Sequence, residues 1–315
     1  MFTNKTVIIT GASSGLGKSL ALDFAKKGAR LALFARHEER LRETEKVCRE
    51  YMAKDPRVRY YRNESNIGAA RNFNHLVELA RGVYFKWLAA DCVIAPTFLE
   101  RCLGVLEQKS DLVLVTTQFL GRSEFEKKVI PVENDFEFED DRPYRRFQQL
   151  LKCEFAGKRP IWGLMRADLL QQTSLIRSFV GSDDCLLIEL VLQGNFGLVP
   201  ERLATVRRHS TSYTDMKIRN QGVEGARESK WLNPNNNKRF YLPHWKRLWE
   251  YFLLARGSKD TFWGKLRMTL FLLWPVGCSW SKILLKEGMF AFGLRRLYLW
   301  LKYMKRRVIR TVARS

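Results

Sequence analysis

The sequence predicts an α/β fold with a doubly wound, mainly parallel sheet and a helical, basic C-terminal extension. Short runs of β-branched and apolar residues alternate with segments of helical spacing, and the connections between them are short. Glycines stand at the ends of several helical segments, where they commonly terminate a helix. A chain of 315 residues can bury a sizeable core, as one such domain with an extension or as two small domains.

The alternation runs through the first 120 residues. Strands are predicted at residues 6–10, 30–34, 57–61, 83–88 and 111–116. Helices are predicted after the glycines at 15 and 17, at 38–53, at 69–80 and just after Pro96. Residues 121–142 break the rhythm and carry an acidic patch, so we expect a mobile loop there. Helices are predicted again at 143–154, 167–172 and 186–192.

The charge of the chain indicates a negatively charged partner. Its formal net charge is +22, with an isoelectric point near 10.0. Nucleic acid is disfavoured, because no zinc spacing, basic zipper or RNA-binding signature is present. Anionic lipid headgroups or a nucleoside diphosphate account for the charge equally well.

Cysteine usage and the N-terminus favour a cytoplasmic location. The six cysteines are scattered without a CxxC pair, which is typical of reduced thiols. The first residues lead directly into a predicted strand, without the pattern of a signal peptide.

A glycine-rich turn follows the first predicted strand. Such a turn between a strand and a helix lets backbone N–H groups approach a phosphate at the positive end of the helix dipole. The spacing of Gly11, Ser13, Gly15 and Gly17 resembles the cofactor turn of short-chain dehydrogenases/reductases over about residues 1–45. The resemblance implies NADP as a cofactor, with Arg36 near its 2′-phosphate. A strand–helix corner that binds nothing is the structural alternative.

The remaining pattern of that reductase family is not found. Tyr213 and Lys217 match its YxxxK motif literally, but they lie in a polar stretch instead of on an apolar-faced helix. An NADP-dependent oxidoreductase is therefore an alternative function, and a catalytically inactive membrane-associated scaffold is a further one.

A second set of motifs runs through the middle of the chain. It consists of Asn66-Ile67-Gly68 with Arg71-Asn72, Tyr84 to Trp87 leading to Ala90-Asp91-Cys92, Gly181-Ser182-Asp183-Asp184, and Arg208-His209. Their order over about residues 44–210 resembles the family-2 glycosyltransferases of the GT-A fold, which is Rossmann-like. The resemblance implies transfer of a sugar from a nucleotide-diphosphate donor to a glycan or lipid-linked acceptor.

The resemblance also implies roles for particular residues. Asp91 and His209 correspond to groups that hold Mg²⁺ or Mn²⁺ on the donor diphosphate. Cys92 stands where a second aspartate is expected, and because a thiolate is a poor ligand for a hard cation, metal affinity should be weakened. Asp183 corresponds to the base that accepts the acceptor's proton, with Asp184 as the less favoured candidate. As a structural alternative, Ser182 and Asp183 are ordinary helix N-cap residues.

The nucleotide side of the resemblance is less complete. Asn66, Gly68, Arg71 and Asn72 correspond to residues that line the nucleotide, although a turn and a helix start explain them too. The family's first two strand-end motifs are absent, since the reductase-like segment occupies their place. We therefore expect residues 1–45 to complete the sheet, residues 46–240 to form the catalytic domain, and the donor site to be altered.

The C-terminal part, residues 241–315, interleaves aromatic and cationic residues at helical spacing. Its apolar runs are too short to span a bilayer. The pattern fits helices in a membrane interface that are attracted to anionic lipid, and we expect peripheral attachment to the inner face of the plasma membrane. An amphipathic helix pair that packs on the catalytic domain is the alternative.

Overall fold

The computed structural model describes twelve stretches of the chain: residues 6–10, 30–34, 49–50, 52–54, 59–61, 63–88, 92–123, 129–132, 136–154, 160–208, 226–236 and 242–291. Strands and helices alternate over most of this length. A four-stranded and a six-stranded sheet form the frame of the molecule.

The first sheet is entirely parallel. It contains β1 (Thr6–Thr10), β2 (Arg30–Phe34), β3 (Arg59–Tyr60) and β5 (Trp87–Leu88) in the order β3-β2-β1-β5. The strands predicted at 6–10 and 30–34 are thus confirmed as neighbours in one parallel sheet.

The second sheet is mixed. Its order is β4-β9-β7-β10-β6, formed by β4 (Tyr84–Phe85), β6 (Cys92–Ile94), β7 (Leu112–Ser123), β9 (Leu164–Arg166) and β10 (Asn195–Arg208), with β8 (Val129–Val132) paired to β7. The long strands β7 and β10 run parallel, and their register shifts between Val199 and Arg202, around Pro200. A shift is expected there, because proline cannot donate a ladder hydrogen bond. The other pairs are antiparallel.

Helices cover the sheets and bury their apolar sides. They are α1 (Ala69–Leu79), α2 (Phe98–Gln108), α3 (Pro143–Glu154), α4 (Ala167–Gln171), α5 (Ser182–Gln193), α6 (Ala226–Leu232), α7 (Pro243–Gly257), α8 (Phe262–Phe271) and α9 (Gly277–Ala291). A short 3₁₀ turn covers Pro160–Trp162, and a π turn at Leu272–Val276 joins α8 to α9. The predicted α/β fold class is confirmed.

The strand predicted at 83–88 is wrong in one respect, because it is broken at Lys86. Tyr84–Phe85 pairs with β9 in the six-stranded sheet, whereas Trp87–Leu88 pairs with β1 in the four-stranded sheet. The chain thus passes from one sheet to the other at a single residue, and no local sequence signal marks such a change of partner.

Two further predictions need correction. Residues 121–142 are not simply a loop, because β7 extends to Ser123 and Val129–Val132 pairs with it as β8. The helix predicted at 186–192 begins four residues earlier, at Ser182. Pairing with β8 extends β7 beyond its apolar run. Gly181 allows α5 to begin before its apolar run.

The C-terminal helices share the main apolar core. Tyr251, Met268 and Trp280 belong to the same buried cluster as Leu76 of α1 and Leu186 of α5. Among the described helices none alone is long and apolar enough to cross a membrane, whereas Phe262–Ser281 and Ile283–Met289, bent by 70°, reach that length and composition together.

Candidate functional site

The start of α5 presents the predicted base. Gly181 precedes the helix with φ = 83°, a left-handed conformation that glycine adopts without steric cost. Ser182 is buried, and its hydroxyl donates to the backbone carbonyl of Arg177 at 2.7 Å. Asp183 is half-buried in the first helical turn, where the helix dipole favours a carboxylate.

The neighbouring carboxylate has a structural partner. Asp184 lies 2.9 Å from the guanidinium of Arg247 on α7, and both side chains are largely buried. The same guanidinium donates to the hydroxyl of Tyr251 at 2.9 Å and lies over the ring of Trp280 at 4.8 Å. Asp184 thereby links α5 to α7 through a largely buried ion pair. Asp183 is the more exposed of the two carboxylates at the start of α5.

A second ion pair fixes the loop before α5. Arg177 donates to Glu250 of α7 at 2.6 Å, and Lys246 approaches the other oxygen of Glu250 at 2.5 Å. Burial opposes ionisation of Glu250, but the hydrogen bonds from Lys246 and Arg177 outweigh it, so its pKa lies below the ordinary value. Helix α7 therefore clamps both sides of the turn that carries Asp183.

The segment before α1 forms the predicted nucleotide side. Asn66 accepts a hydrogen bond from the backbone N–H of Gly68 at 3.0 Å, and Asn63 donates to the side chain of Asn72 at 2.8 Å. Gly68 has φ = 82°, and a Cβ there would overlap the backbone of Leu232, the last residue of α6. The helix has no acidic residue in its first turn, so the positive end of its dipole is uncompensated.

The predicted nucleotide residues differ in exposure. Arg71 and Asn66 are exposed, Asn72 is half-buried, and Gly68 is buried. All four lie within residues 66–72, at the start of α1, so their proximity follows from the sequence itself.

Asn74 links this helix to the loop before α5, a connection that the sequence did not reveal. Its side-chain amide donates to the carbonyl of Ile176 at 2.9 Å and accepts from the N–H of the same residue at 3.0 Å. One side chain therefore binds both the backbone N–H and the backbone carbonyl of Ile176. The contact spans 102 residues of sequence, so periodicity could not predict it.

Strand β5, which ends three residues before Asp91 in the sequence, packs against α1. Trp87 of β5 donates its indole N–H to the carbonyl of Phe73 in α1 at 3.2 Å. Beneath it, Lys86 donates to the carbonyl of Trp162 and lies over the ring of Phe98 at 4.5 Å. Burial lowers the pKa of Lys86.

The predicted metal residues Asp91 and His209 lie outside the described residues. Cys92, the residue after Asp91, is paired with Val206 in the β6–β10 ladder. Cys92 itself is buried in an apolar cluster with Leu88 and Phe98. Within the described part of the chain, no group of three or more His, Cys, Asp or Glu side chains is placed to hold a metal ion.

The reductase-like residues also lie outside the described residues. These are Gly11, Ser13, Gly15, Gly17 and Arg36, together with Tyr213 and Lys217. Only the flanking strands β1 and β2 are described, and they are adjacent and parallel as a strand–helix–strand unit requires.

Comparison with known proteins bears on the second set of motifs, in the central part of the chain. Residues 42–173 match the family model described as glycosyl transferase family 2. This segment is therefore similar to the family-2 glycosyltransferases. The match contains β3 to β9 and α1 to α4, and it ends just before α5.

Solved structures agree with this domain in fold. S. aureus TarS 1–349 in complex with UDP superimposes with a TM-score of 0.56 and 12% identity, over 85% of this chain and 70% of that one. The mannosyltransferase PcManGT from Pyrobaculum calidifontis, in complex with GDP-Man and Mn²⁺, gives a TM-score of 0.51 and 13% identity, over 86% of this chain and 70% of that one. The chain therefore has the GT-A fold.

A short stretch of the chain is similar to a dehydrogenase. The 11-beta-hydroxysteroid dehydrogenase-like 2 of Arabidopsis thaliana is 62% identical over 39 residues, which is 12% of this chain and 13% of that protein. The chain spans between 13% and 30% of the first curated relatives that it matches.

Proposed function

We propose that the protein transfers a sugar from a nucleoside-diphosphate donor to a hydroxyl group of a glycan or lipid-linked acceptor. The glycosyltransferase domain supports this class of reaction, and solved structures of the same fold hold UDP or GDP-mannose. The observation that carries the proposal is the link through Asn74 and Ile176, because it ties the nucleotide-side helix α1 to the loop that leads into Asp183.

Asp183 is the proposed base. As the acceptor oxygen forms its bond to the anomeric carbon, its proton passes to the Asp183 carboxylate, and the bond from that carbon to the donor diphosphate breaks. The half-exposed position of Asp183 in the first turn of α5 suits a group that must reach an incoming hydroxyl. Asp184 is unsuited to this role, since it is buried against Arg247.

The start of α1 is proposed to bind the nucleotide. Backbone N–H groups at an uncompensated helix N-terminus attract phosphate, and the exposed Arg71 adds a positive charge on the same turn. The Asn63–Asn72 and Asn66–Gly68 hydrogen bonds hold the approach to this turn in one conformation.

A divalent cation fits the proposed donor site. Carboxylate and imidazole are suitable donors for Mn²⁺, and carboxylate for Mg²⁺, so Asp91 and His209 would hold the ion, which would offset charge on the leaving diphosphate. Cys92 pairs with Val206 in the β6–β10 ladder; in the sequence Asp91 immediately precedes Cys92, and His209 follows Val206 by three residues. Position 92 is a cysteine that packs into the core, so no second carboxylate is available there, and we expect metal affinity to be weakened.

Asp183→Asn tests the proposal. We expect transfer from a nucleotide sugar to fall by at least about a hundredfold, because an amide cannot accept the proton. Donor affinity, measured by calorimetric titration, should stay within about twofold, since Asp183 serves the acceptor side. Asp168→Asn is the matched control, because Asp168 is an exposed aspartate in the first turn of α4. Transfer by Asp183→Asn at the rate of this control would exclude Asp183 as the base.

A second candidate function is an NADP-dependent oxidoreductase. It is favoured by the short match to the Arabidopsis dehydrogenase and by the adjacent parallel strands β1 and β2. Its cofactor would bind at Gly11, Ser13, Gly15 and Gly17, with Arg36 on the 2′-phosphate. NADPH binding that Arg36→Glu abolishes would support this function, and absence of NADPH binding would remove it.

A further inference from the structure

Helices α7, α8 and α9 and the π turn expose many large apolar side chains. The most exposed are Trp249 (61%), Phe262 (73%), Trp263 (66%), Leu273 (60%), Trp274 (76%) and Leu285 (67%). Scattered single apolar residues are normal on a protein surface, but repeated tryptophans on successive helices indicate an interaction surface.

Helix α7 shows how these side chains are arranged. Trp245, Trp249 and Leu253 are all exposed and follow one another at four-residue intervals, so they lie along one face of the helix. The other side of α7 is fixed to the protein, with Tyr251 fully buried and Glu250 paired to Arg177. The outward apolar face is therefore held by a rigid element.

Helix α8 and the π turn repeat this arrangement. Trp263, Leu270 and Trp274 are exposed at helical spacing, whereas Met268 and Leu272 are fully buried between them. Each helix thus has one apolar side in the core and a second apolar side facing outwards. We call the exposed apolar side chains of α7, α8, the π turn and α9 the aromatic face.

The segment that carries the aromatic face has a net positive charge. Residues 242–291 contain eight Lys or Arg and three Asp or Glu. Each of the three acids is engaged within the protein: Glu250 with Arg177, Asp260 with the backbone N–H of Tyr144 at 3.0 Å, and Glu287 with His244 at 2.5 Å. The sequence continues the pattern, because residues 292–315 contain eight Lys or Arg and no Asp or Glu.

We propose that the aromatic face docks on the surface of an anionic lipid bilayer. Tryptophan suits the boundary between headgroups and acyl chains, since its ring is apolar and its N–H is polar. The surrounding cations complement anionic headgroups, whereas a second copy of this chain would bring an equally positive surface to the same face. Docking would hold the catalytic domain beside acceptors at the membrane.

Vesicle co-sedimentation of the full chain tests this docking. We expect stronger binding to vesicles of phosphatidylcholine and phosphatidylglycerol in equal parts than to phosphatidylcholine alone, and weaker binding at higher salt. The triple variant W249S/W263S/W274S should lower the partition coefficient by at least about tenfold, because it removes the largest apolar contacts. The matched control V83S/V129S/I130S removes exposed apolar side chains elsewhere and should bind as the unmodified protein does.

A second measurement uses the unmodified protein, so it tests the proposal even if the triple variant fails to fold. Brominated phospholipid in the vesicles should quench tryptophan fluorescence of the unmodified protein, as expected for rings at the acyl boundary. Absence of quenching would overturn the proposal, as would equal binding by both triple variants. Self-association in light scattering that W249S/W263S/W274S abolishes, without vesicle binding, would assign the face to a second copy instead.

Discussion

Gly181 is the residue on which the geometry of the proposed base depends most directly. Its positive φ turns the chain into α5, and its Cα lies against the side chain of Arg247. Arg247 cannot easily give way, because its guanidinium is held between Asp184, Tyr251 and Trp280. One glycine therefore combines a backbone requirement with a packing requirement.

Gly181→Ala should lower the free energy of unfolding by about 2 kcal/mol or more, because alanine is strained at positive φ and its Cβ overlaps Arg247. The measurement is urea denaturation. Gly104→Ala is the control, since Gly104 lies within α2 with open space around its Cα. There alanine should raise the free energy of unfolding by about 0.5–1 kcal/mol. Equal effects of the two substitutions would refute the role given to Gly181.

Two adjacent carboxylates illustrate what the sequence predicts at the residue scale and what it does not. The motif singled out Asp183, and the structure places it half-buried at the start of a helix. It could not show that Asp184 forms a buried ion pair, because Arg247 lies 63 positions later, in a helix with two other Lys or Arg residues. Nor could it predict Asn74, whose partners are backbone groups of a distant loop.

At the scale of elements, the contact between α5 and α7 is ionic as well as apolar. Glu250 joins the loop before α5 to α7 through Arg177, and Lys246 on its own helix completes the cluster. The depressed pKa of Glu250 means that the native state favours its ionised form. This contribution to stability is complete above the pKa of glutamate in the unfolded chain and is lost as pH falls through the native pKa.

Glu250→Gln should lower the free energy of unfolding by about 1–3 kcal/mol near neutral pH, because Arg177 loses a buried charged partner. The difference from the unmodified protein should shrink as pH falls below about 4, where glutamate takes up a proton. Urea denaturation across this pH range measures it. Glu78→Gln, on an exposed glutamate of α1, should show a difference near zero throughout. A Glu250→Gln difference that grows with acidification would contradict the assignment.

Elements with a clear local pattern were predictable from sequence, and those defined by distant pairing were not. Helix α1 was predicted at 69–80 and ends at Leu79, because its amphipathic spacing and the glycine before it are local features. Strand β10 carries no such signal, since its register on β7 is set by a strand some eighty residues earlier. The break at Lys86 belongs to the same group, because it depends on which sheet each half-strand joins.

At the scale of the whole molecule, α1, α5 and α7 converge on one region although they are far apart in sequence. The segment that matches the glycosyl transferase family 2 model ends at residue 173, before α5 and α7 begin. The proposed base and the ion pairs that hold it therefore come from the part of the chain that follows the matched segment. If Asp183 is the base, as we propose, the C-terminal helices belong to the catalytic unit and also carry the aromatic face.

Calorimetric titration of the full chain with UDP-sugars, GDP-sugars and NADPH, each with Mn²⁺ present, tests the central claim most directly. We expect a nucleotide sugar to bind, Arg71→Ala to weaken that binding by about tenfold through loss of a charge-assisted phosphate contact, and NADPH not to bind. Binding of NADPH with no response to any nucleotide sugar would exclude sugar transfer and favour an oxidoreductase whose cofactor binds at the glycine-rich N-terminal segment.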